Sequence, residues 1–199
     1  ATYLQTIPRR EHADGVLIIS ISPNDREAAQ LSNAHVPIVL IDADHPTLTM
    51  LDRVTVDDIA GGQAVTDYLV SLGHVKIGFV GDIIDNPYNF TSSRDRYAGY
   101  CRSLKAAGLP LREDYYAEGQ HGRAEARQLG RAMLSLPDRP TAVFAASDMQ
   151  AIGVLEAARE AGLRVPKDLS IVGYDDIEIA DIVGLTTMRQ MLFESGQRG

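Results

Sequence analysis

The stretch of sequence best suited to binding a ligand ends in two adjacent carboxylates. Residues 169–176 are an apolar run of β-formers that ends in a glycine, a tyrosine, Asp175 and Asp176. In α/β proteins, ligands bind in the crevice outside the carboxyl ends of the strands. A buried strand over residues 170–173 therefore places Asp175 at the rim of such a crevice. Asp176 is better explained as capping the turn that follows.

Other polar side chains also follow predicted strands, at the same edge of the sheet. They are Ser20, Asp57, the segment 90–96, Gln120 with His121, Asp148 and Asp175. Carboxylates, an arginine and an aromatic ring together can hydrogen-bond a polyol and stack on its apolar face. The alternative is that each aspartate caps a helix. Capping is favoured for Asp148, because Ser147 and Asp148 directly precede a helical pattern, and both explanations stay open for Asp175.

Arg94, Asp95 and Arg96 fall in the first turn of a predicted helix. Cations are disfavoured there by the helix dipole, although a solvated helix face would still accept them. We predict that Arg96 contacts ligand and that Arg94 lies on the solvated surface. The five histidines have no metal-ligand spacing, so neither a metal site nor a cofactor is predicted. His121, on a loop after a strand, is a ligand candidate.

Composition narrows the function classes further. The chain has 199 residues, 45% of them hydrophobic, and a net charge of −8. Nucleic-acid binding depends on Lys and Arg neutralising phosphates, so this acidic chain is not expected to bind DNA by itself. Cys101 is the only cysteine, which fits a reducing, cytoplasmic location. The sequence contains no signal peptide, no apolar run of membrane-spanning length and none of the common enzyme motifs.

Short strands and longer helices alternate strictly along the chain. The predicted strands are 15–20, 38–41, 53–56, 76–80, 115–118, 141–145, 170–173 and 185–188, and the helices are 25–34, 61–72, 92–107, 123–136 and 149–161. A further helical spacing involves Tyr3, Leu4 and Ile7. Strict alternation predicts an α/β fold with one or two doubly wound parallel sheets.

Several segments resemble the ligand-sensing domain of LacI/GalR-family bacterial transcription regulators. The matching segments are Gly73-His74-Val75-Lys76-Ile77-Gly78-Phe79, Arg96-Tyr97-Ala98-Gly99-Tyr100, residues 139–148, residues 162–176 and Leu185-Thr186-Thr187. Their order and spacing carry the resemblance, which covers nearly the whole chain. Two departures from the family pattern are Met191, where a proline is usual, and a short loop between Asp181 and Leu185.

The resemblance implies a two-lobed periplasmic-binding-protein-like fold in which each lobe is a doubly wound parallel sheet. The chain would cross between lobes near 57–59 and near 184–187, with a third crossing beyond Gly199. This predicts an N-terminal lobe over 1–58, a C-terminal lobe over 59–184 and a return segment over 185–199. The fold would be incomplete at both ends, with the first strand missing and the DNA-binding helix-turn-helix module absent from this chain.

Site residues also follow from the resemblance. Arg96 and Asp175 match the positions that most often bind effector. Phe90 and Ser92 fall in the loop that usually lines the pocket, where Phe90 could supply a stacking face. Asp148 matches an acidic position at the cleft, and Asp57 one that is more often structural. Ser20 and His121 occupy variable lining positions.

The resulting hypothesis is an effector-binding and dimerisation domain of a sugar-responsive repressor. A small sugar is the expected effector, with a purine or nucleoside second. The partners expected are a second copy in a homodimer and operator DNA, the latter only through the absent module, with no membrane. The alternative is a periplasmic sugar-binding protein of a transporter, against which the segment 165–176 favours the regulator.

Overall fold

Strands and helices alternate throughout the computed structural model, which describes residues 13–86 and 90–199. The helical spacing at Tyr3, Leu4 and Ile7 lies outside the described residues. The elements are β1 Val16–Ile19, α1 Asp25–Ser32, β2 Ile38–Ile41, β3 Asp52–Val54, α2 Asp58–Ser71, β4 Ile77–Asp82, α3 Ser92–Ala106, β5 Tyr116–Gly119, α4 Arg123–Leu134, β6 Ala142–Ala145, α5 Asp148–Glu160, β7 Ser170–Asp175, α6 Glu178–Val183, β8 Thr186–Arg189 and α7 Leu192–Arg198.

The predicted α/β fold with parallel sheets is confirmed. The strands form a three-stranded sheet in the order β1-β2-β3 and a five-stranded sheet in the order β5-β4-β6-β7-β8. All neighbouring strands are parallel. The helix expected to begin at Gly61 begins at Asp58 instead, because the Asp57 carboxylate accepts the Ala60 N–H at 2.9 Å and caps the helix.

The chain divides into two compact units. Unit 1 comprises Ala1–Val56, Asp85–Thr91 and Met191–Gly199, and unit 2 comprises Asp57–Ile84 and Ser92–Gln190. The lobe boundaries inferred from the resemblance remain a prediction for a complete sensor domain.

Unit 1 is built on the smaller sheet. Its helix α1 begins with a capping box, in which Asn24 and Glu27 each accept the other's backbone N–H. The helix buries Ala28 and Leu31 against the sheet residues Ile18 and Leu40. Leu17 and Ile19 point to the opposite face of β1, where they are 58% and 57% exposed. Only one face of this strand is therefore packed into a core.

Unit 2 buries both faces of its sheet. Successive residues of a strand face opposite sides, so Phe79 and Phe144 pack with α2 and α3 while Val80 and Val143 pack with α4 and α5. Such strands are continuous apolar runs, which is the pattern that the sequence showed.

His74 lies where β6 and β7 begin. Its ring contacts the hydroxyls of Thr141 and Ser170 at 2.9 Å each, and burial lowers the pKa of His74.

Helices α2 and α3 approach each other closely through two glycines. A Cβ atom on Gly62 would lie 2.2 Å from the Arg96 carbonyl oxygen, and one on Gly99 would lie 2.2 Å from the Ile59 carbonyl oxygen. Contacts that short do not occur, so both positions require glycine at this separation. The close crossing brings the first turn of α2 beside Arg96.

Candidate functional site

Arg96 lies at the carboxyl edge of the unit 2 sheet as a buried guanidinium, only 5% exposed. Its Nε donates to Asp58 Oδ1 at 2.7 Å, and its Nη1 donates to the Ala146 carbonyl at 2.6 Å and to Asp175 Oδ1 at 3.3 Å. The guanidinium also lies over the Tyr174 ring, 3.8 Å from the centroid. By contrast, Arg94 is half exposed and pairs with Asp95 on the surface. The structure thus brings together the predicted residues Arg96 and Asp175.

Asp175 ends β7 in a backbone conformation that favours glycine, with φ at +116°. Its carboxylate accepts hydrogen bonds from Arg96 and from Gln190 Nε2, the latter at 2.5 Å. Burial raises the pKa of this carboxyl, an effect that the charge of Arg96 opposes. The side chain keeps 22% of its surface exposed, so it can still reach a ligand.

Asp148 is fully buried. It accepts the Ile177 N–H at 2.9 Å and the Thr187 hydroxyl at 2.6 Å, which ties the loop after β7 to β8. Burial raises the pKa of this carboxyl, and the bond from Thr187 works against the rise. The predicted N-cap role of Asp148 is wrong, because Ser147 caps α5 by accepting the Gln150 N–H.

Asp176 does not cap the turn after it. Helix α6 has no side-chain cap, and the Asp176 carboxylate instead accepts the Nε–H of Arg189 on the neighbouring strand. Asp176 also has a positive φ, +58°.

His121 lies beside a second carboxylate at the end of β4. Its Nδ1 is 3.1 Å from Asp82 Oδ1, and Gln150 Nε2 donates to the same oxygen at 2.8 Å. The hydrogen bond to Asp82 raises the pKa of His121. The side chain of His121 is exposed, which suits a residue that contacts ligand.

The remaining predicted site residues lie in two different units. In unit 2, Asp57 is the exposed cap of α2 and Ser92 is the first residue of α3. In unit 1, Ser20 follows β1 with φ at +62° and donates its N–H to Ile41. Phe90, also in unit 1, has a partly exposed ring and donates its N–H to Asn86.

Four residues of unit 2 contact predicted site residues, directly or in the case of Gln150 through Asp82, and were not themselves predicted: Asp58, Asp82, Gln150 and Gln190. Asp82 ends the apolar strand β4 as Asp175 ends β7, so the rule that identified Asp175 could also have identified it. Asp58, Gln150 and Gln190 gave no comparable signal, because each reaches the site from a helix or from the end of an edge strand.

Over residues 13–86 and 90–199, no three His, Cys, Asp or Glu side chains converge as metal ligands. None of the helices in these ranges is long and apolar enough to cross a bilayer.

A groove of about 620 Å³ opens at the other end of unit 2, where β7 and β8 begin. Its lining includes Leu72, Leu155, Val183 and Leu185. It lies at the amino ends of the strands, whereas ligands of α/β sheets bind at the carboxyl ends. The carboxyl edge around Arg96 and Asp175 is therefore the stronger candidate.

Known proteins resemble the chain over most of its length. Residues 66–198 match the family model described as a periplasmic binding protein-like domain. The HTH-type transcriptional repressor PurR of Aliivibrio salmonicida is 32% identical over 191 residues, which are 94% of this chain and 56% of that protein. The chain spans about half the length of the curated relatives that it matches.

Solved structures agree with the sequence comparison. A transcription regulator from Lactobacillus plantarum is 31% identical, with a TM-score of 0.85 over 98% of this chain and 72% of that one. A LacI family transcriptional regulator from Enterococcus faecium, solved with bound ribose, is 29% identical, with a TM-score of 0.81 over the same shares. These relatives are regulators, so the alternative of a transporter's binding protein is not favoured. The chain belongs to the periplasmic-binding-protein-like domain family, as an effector-binding domain of the LacI/GalR type.

Proposed function

We propose that this chain is the effector-binding and dimerisation part of a transcriptional repressor and that it senses a small sugar. The observation that carries the proposal is the pairing of buried Arg96 with partly exposed Asp175 at the carboxyl edge of the sheet. A carboxylate accepts from sugar hydroxyls and a guanidinium donates to sugar oxygens. The pair of Arg96 and Asp175 can therefore hydrogen-bond both the hydroxyl donors and the oxygen acceptors of a polyol.

The charge at this edge favours an uncharged sugar over a sugar phosphate. Asp58, Asp82 and Asp175 lie at the edge, while the charge of Arg96 is already shared by two carboxylates. A phosphate brought here would be repelled by carboxylates whose buried cationic partner, Arg96, is already paired. The Enterococcus faecium relative with bound ribose is an example of a neutral sugar in this family.

A purine or nucleoside is the second candidate effector. The partly exposed ring of Phe90 offers an apolar face of the kind on which bases stack. A relative at 32% identity is named as the repressor PurR.

Each predicted site residue has a proposed role. Asp175 and Arg96 bind the effector directly. His121 and Ser92 line the site in unit 2. Phe90 and Ser20 are proposed as ligand-selecting residues of unit 1. The two remaining residues support the site through the backbone: Asp148 holds the loop after β7 and Asp57 begins α2.

The regulatory mechanism proposed is a population shift in a homodimer. Effector binding favours one arrangement of the lobes, with a coupling free energy of about 1–3 kcal/mol between effector and DNA sites. Operator DNA would be bound through a helix-turn-helix module outside this acidic chain. The proposed location is the cytoplasm, and the proposed role is binding without catalysis.

A thermal-shift screen tests the effector class, because a bound ligand stabilises the folded state by mass action. Ribose, other neutral monosaccharides, their phosphates, adenine and adenosine are each added to the wild-type chain. We expect a neutral sugar to raise the Tm and Asp175→Asn to abolish the rise. Asp168→Asn, which alters a surface aspartate just before β7, is the control and should keep it.

Four results would contradict the proposal. A shift with adenosine alone would replace the sugar by a nucleoside, and a shift with sugar phosphates alone would overturn the charge argument. If no compound raised the Tm, or if Asp175→Asn kept the full response, the site assignment would be wrong.

A further inference from the structure

Four side chains form an unbroken series of hydrogen bonds through the candidate site. Asp58 accepts from Arg96 at 2.7 Å, Arg96 donates to Asp175 at 3.3 Å, and Gln190 donates to Asp175 at 2.5 Å. We call this series the Asp58–Gln190 network. Only its two inner members, Arg96 and Asp175, belong to the predicted ligand-binding set.

Asp58 fixes Arg96 at Nε, whereas Asp175 is bonded to Nη1 of the same guanidinium. Both Asp58 and Arg96 have side chains that are 6% exposed, and burying an ion costs several kcal/mol of hydration, which a well-placed partner of opposite charge must offset. Nε is the guanidinium nitrogen nearest to the aliphatic stem, so a bond at Nε restrains the plane of the whole group. Tyr174, which lies under that plane at 3.8 Å, completes the restraint.

Gln190 fixes Asp175 in a defined orientation. Its Nε2 faces a carboxylate oxygen, and rotating the amide would put Oε1 against that carboxylate, so the observed orientation is the favourable one. Gln190 Oε1 is buried and has no hydrogen-bond partner among the described residues. The amide is therefore held by its bond to Asp175.

The two ends of the Asp58–Gln190 network lie where the chain leaves and enters unit 2. Asp58 is the second residue of unit 2, directly after the junction between Val56 and Asp57. Gln190 is the last residue of unit 2, directly before Met191 of unit 1. The residues that restrain the ligand-binding pair are thus the residues next to two of the connections between the units.

We propose that Asp58 and Gln190 are positioning residues, which hold Arg96 and Asp175 in place for the effector and couple this pair to the two inter-unit connections. The inference rests on the proposed function, because it assumes that Arg96 and Asp175 bind the effector. It adds Asp58 and Gln190, which act on the effector through Arg96 and Asp175. It also adds a route by which effector binding can influence the two inter-unit connections.

The first test needs no ligand, so it stands apart from the identity of the effector. The Nε–H of Arg96 is followed by ¹H–¹⁵N NMR in the wild-type chain and in variants. In Asp58→Ala the Nε–H loses its acceptor, and we expect its exchange with solvent to accelerate about tenfold or more. Asp58→Asn keeps an oxygen that can accept from Nε, so it should restore most of the protection.

The matched control is Asp67→Ala. Asp67 also lies on α2 and accepts a hydrogen bond from Ser103 of α3, away from Arg96. If Asp58 positions Arg96 specifically, Asp67→Ala leaves the exchange of the Arg96 Nε–H unchanged. Equal acceleration in both variants would mean general loosening of the helix pair and would overturn the proposal, as would wild-type protection in Asp58→Ala.

The second test measures binding of ribose, or of the sugar that gives the largest shift in the screen. Gln190→Ala leaves the Asp58–Arg96 contact intact, so the Arg96 Nε–H should remain protected while the sugar Kd rises about tenfold. An unchanged Kd in Gln190→Ala would exclude Gln190 as a positioning residue. If no sugar bound the wild type, the proposed function would fail, and the NMR result would still decide the role of Asp58.

Discussion

Asp148 and Asp175 have the same side chain at the same edge of the sheet, but different surroundings. Both have a carboxyl pKa raised by burial. Asp148 is fully buried and bonded to Ile177 and Thr187, whereas Asp175 keeps part of its surface open. The first aspartate therefore supports the backbone, and only the second can exchange a protein partner for a ligand hydroxyl.

Thr187→Val should destabilise the fold by about 1.5–3 kcal/mol, because it removes the hydroxyl that donates to buried Asp148. A raised carboxyl pKa contributes stability at low pH that is lost as pH rises through the folded value. Removing the donor raises that pKa further, so the cost should be larger at pH 8 than at pH 5. Urea unfolding at both pH values measures it.

Thr186→Val on the same strand is the control for this prediction. Thr186 is exposed and makes no bond to Asp148, so its replacement should cost less than about 0.5 kcal/mol. Equal losses in the free energy of unfolding for Thr186→Val and Thr187→Val would show that any such change in β8 destabilises the fold. The bond to Asp148 would then not be the cause.

Arg96 and Asp175 could be predicted from the sequence because each carries a local signal. A cation in the first turn of a helix and a carboxylate after a buried strand both call for an explanation. Asp58 and Gln190 could not be predicted, because their contacts join residues 38 and 15 positions apart in the sequence. Such contacts depend on how helices and strands pack, which local patterns do not encode.

At the scale of elements, the crossing of α2 and α3 determines where Arg96 lies. Gly99→Ala would place a Cβ atom 2.2 Å from the Ile59 carbonyl oxygen and 2.5 Å from the Gln63 nitrogen. Both contacts are with backbone, so the helices must separate. We expect a cost of about 1–3 kcal/mol or more in urea unfolding, with faster solvent exchange at the Arg96 Nε–H.

The comparison for this prediction is Gly196→Ala in α7, where an added Cβ atom meets nothing within 4 Å. Alanine favours a helix over glycine by roughly 0.8–1 kcal/mol in helix interiors, so this variant should not destabilise the chain. A Gly99→Ala variant as stable as the wild type would mean that the two helices can separate freely, and that their close approach is not needed to bury Arg96.

Elements were easier to predict than contacts, for a physical reason. The strands of unit 2 are buried on both faces, so their apolar residues are continuous and their ends are marked by polar side chains. The sequence pattern predicts the start of α2 about one turn too late, at Gly61, whereas Asp57 caps the helix and Asp58 begins it. The order of strands within the sheet had no local signal and rests on the structure and on the family resemblance.

At the scale of the whole molecule, the two units differ in how completely their sheets are covered. All four residues of β6 are buried, whereas Leu17 and Ile19 of β1 are largely exposed. Local opening is easiest where few apolar side chains pack against the backbone. The free energy of opening should therefore be lower for the sheet of unit 1 than for the sheet of unit 2.

Hydrogen exchange followed by mass spectrometry measures this difference directly. Amides of β1 and β2 should exchange well before those of β6 and β7, in a separate step at low denaturant concentration. A single cooperative step for both sheets would mean that the exposed face of β1 does not weaken unit 1. Adding a sugar that binds should slow exchange in β7, because Asp175 lies at its end. Protection that appeared only in unit 1 would place the ligand away from Asp175.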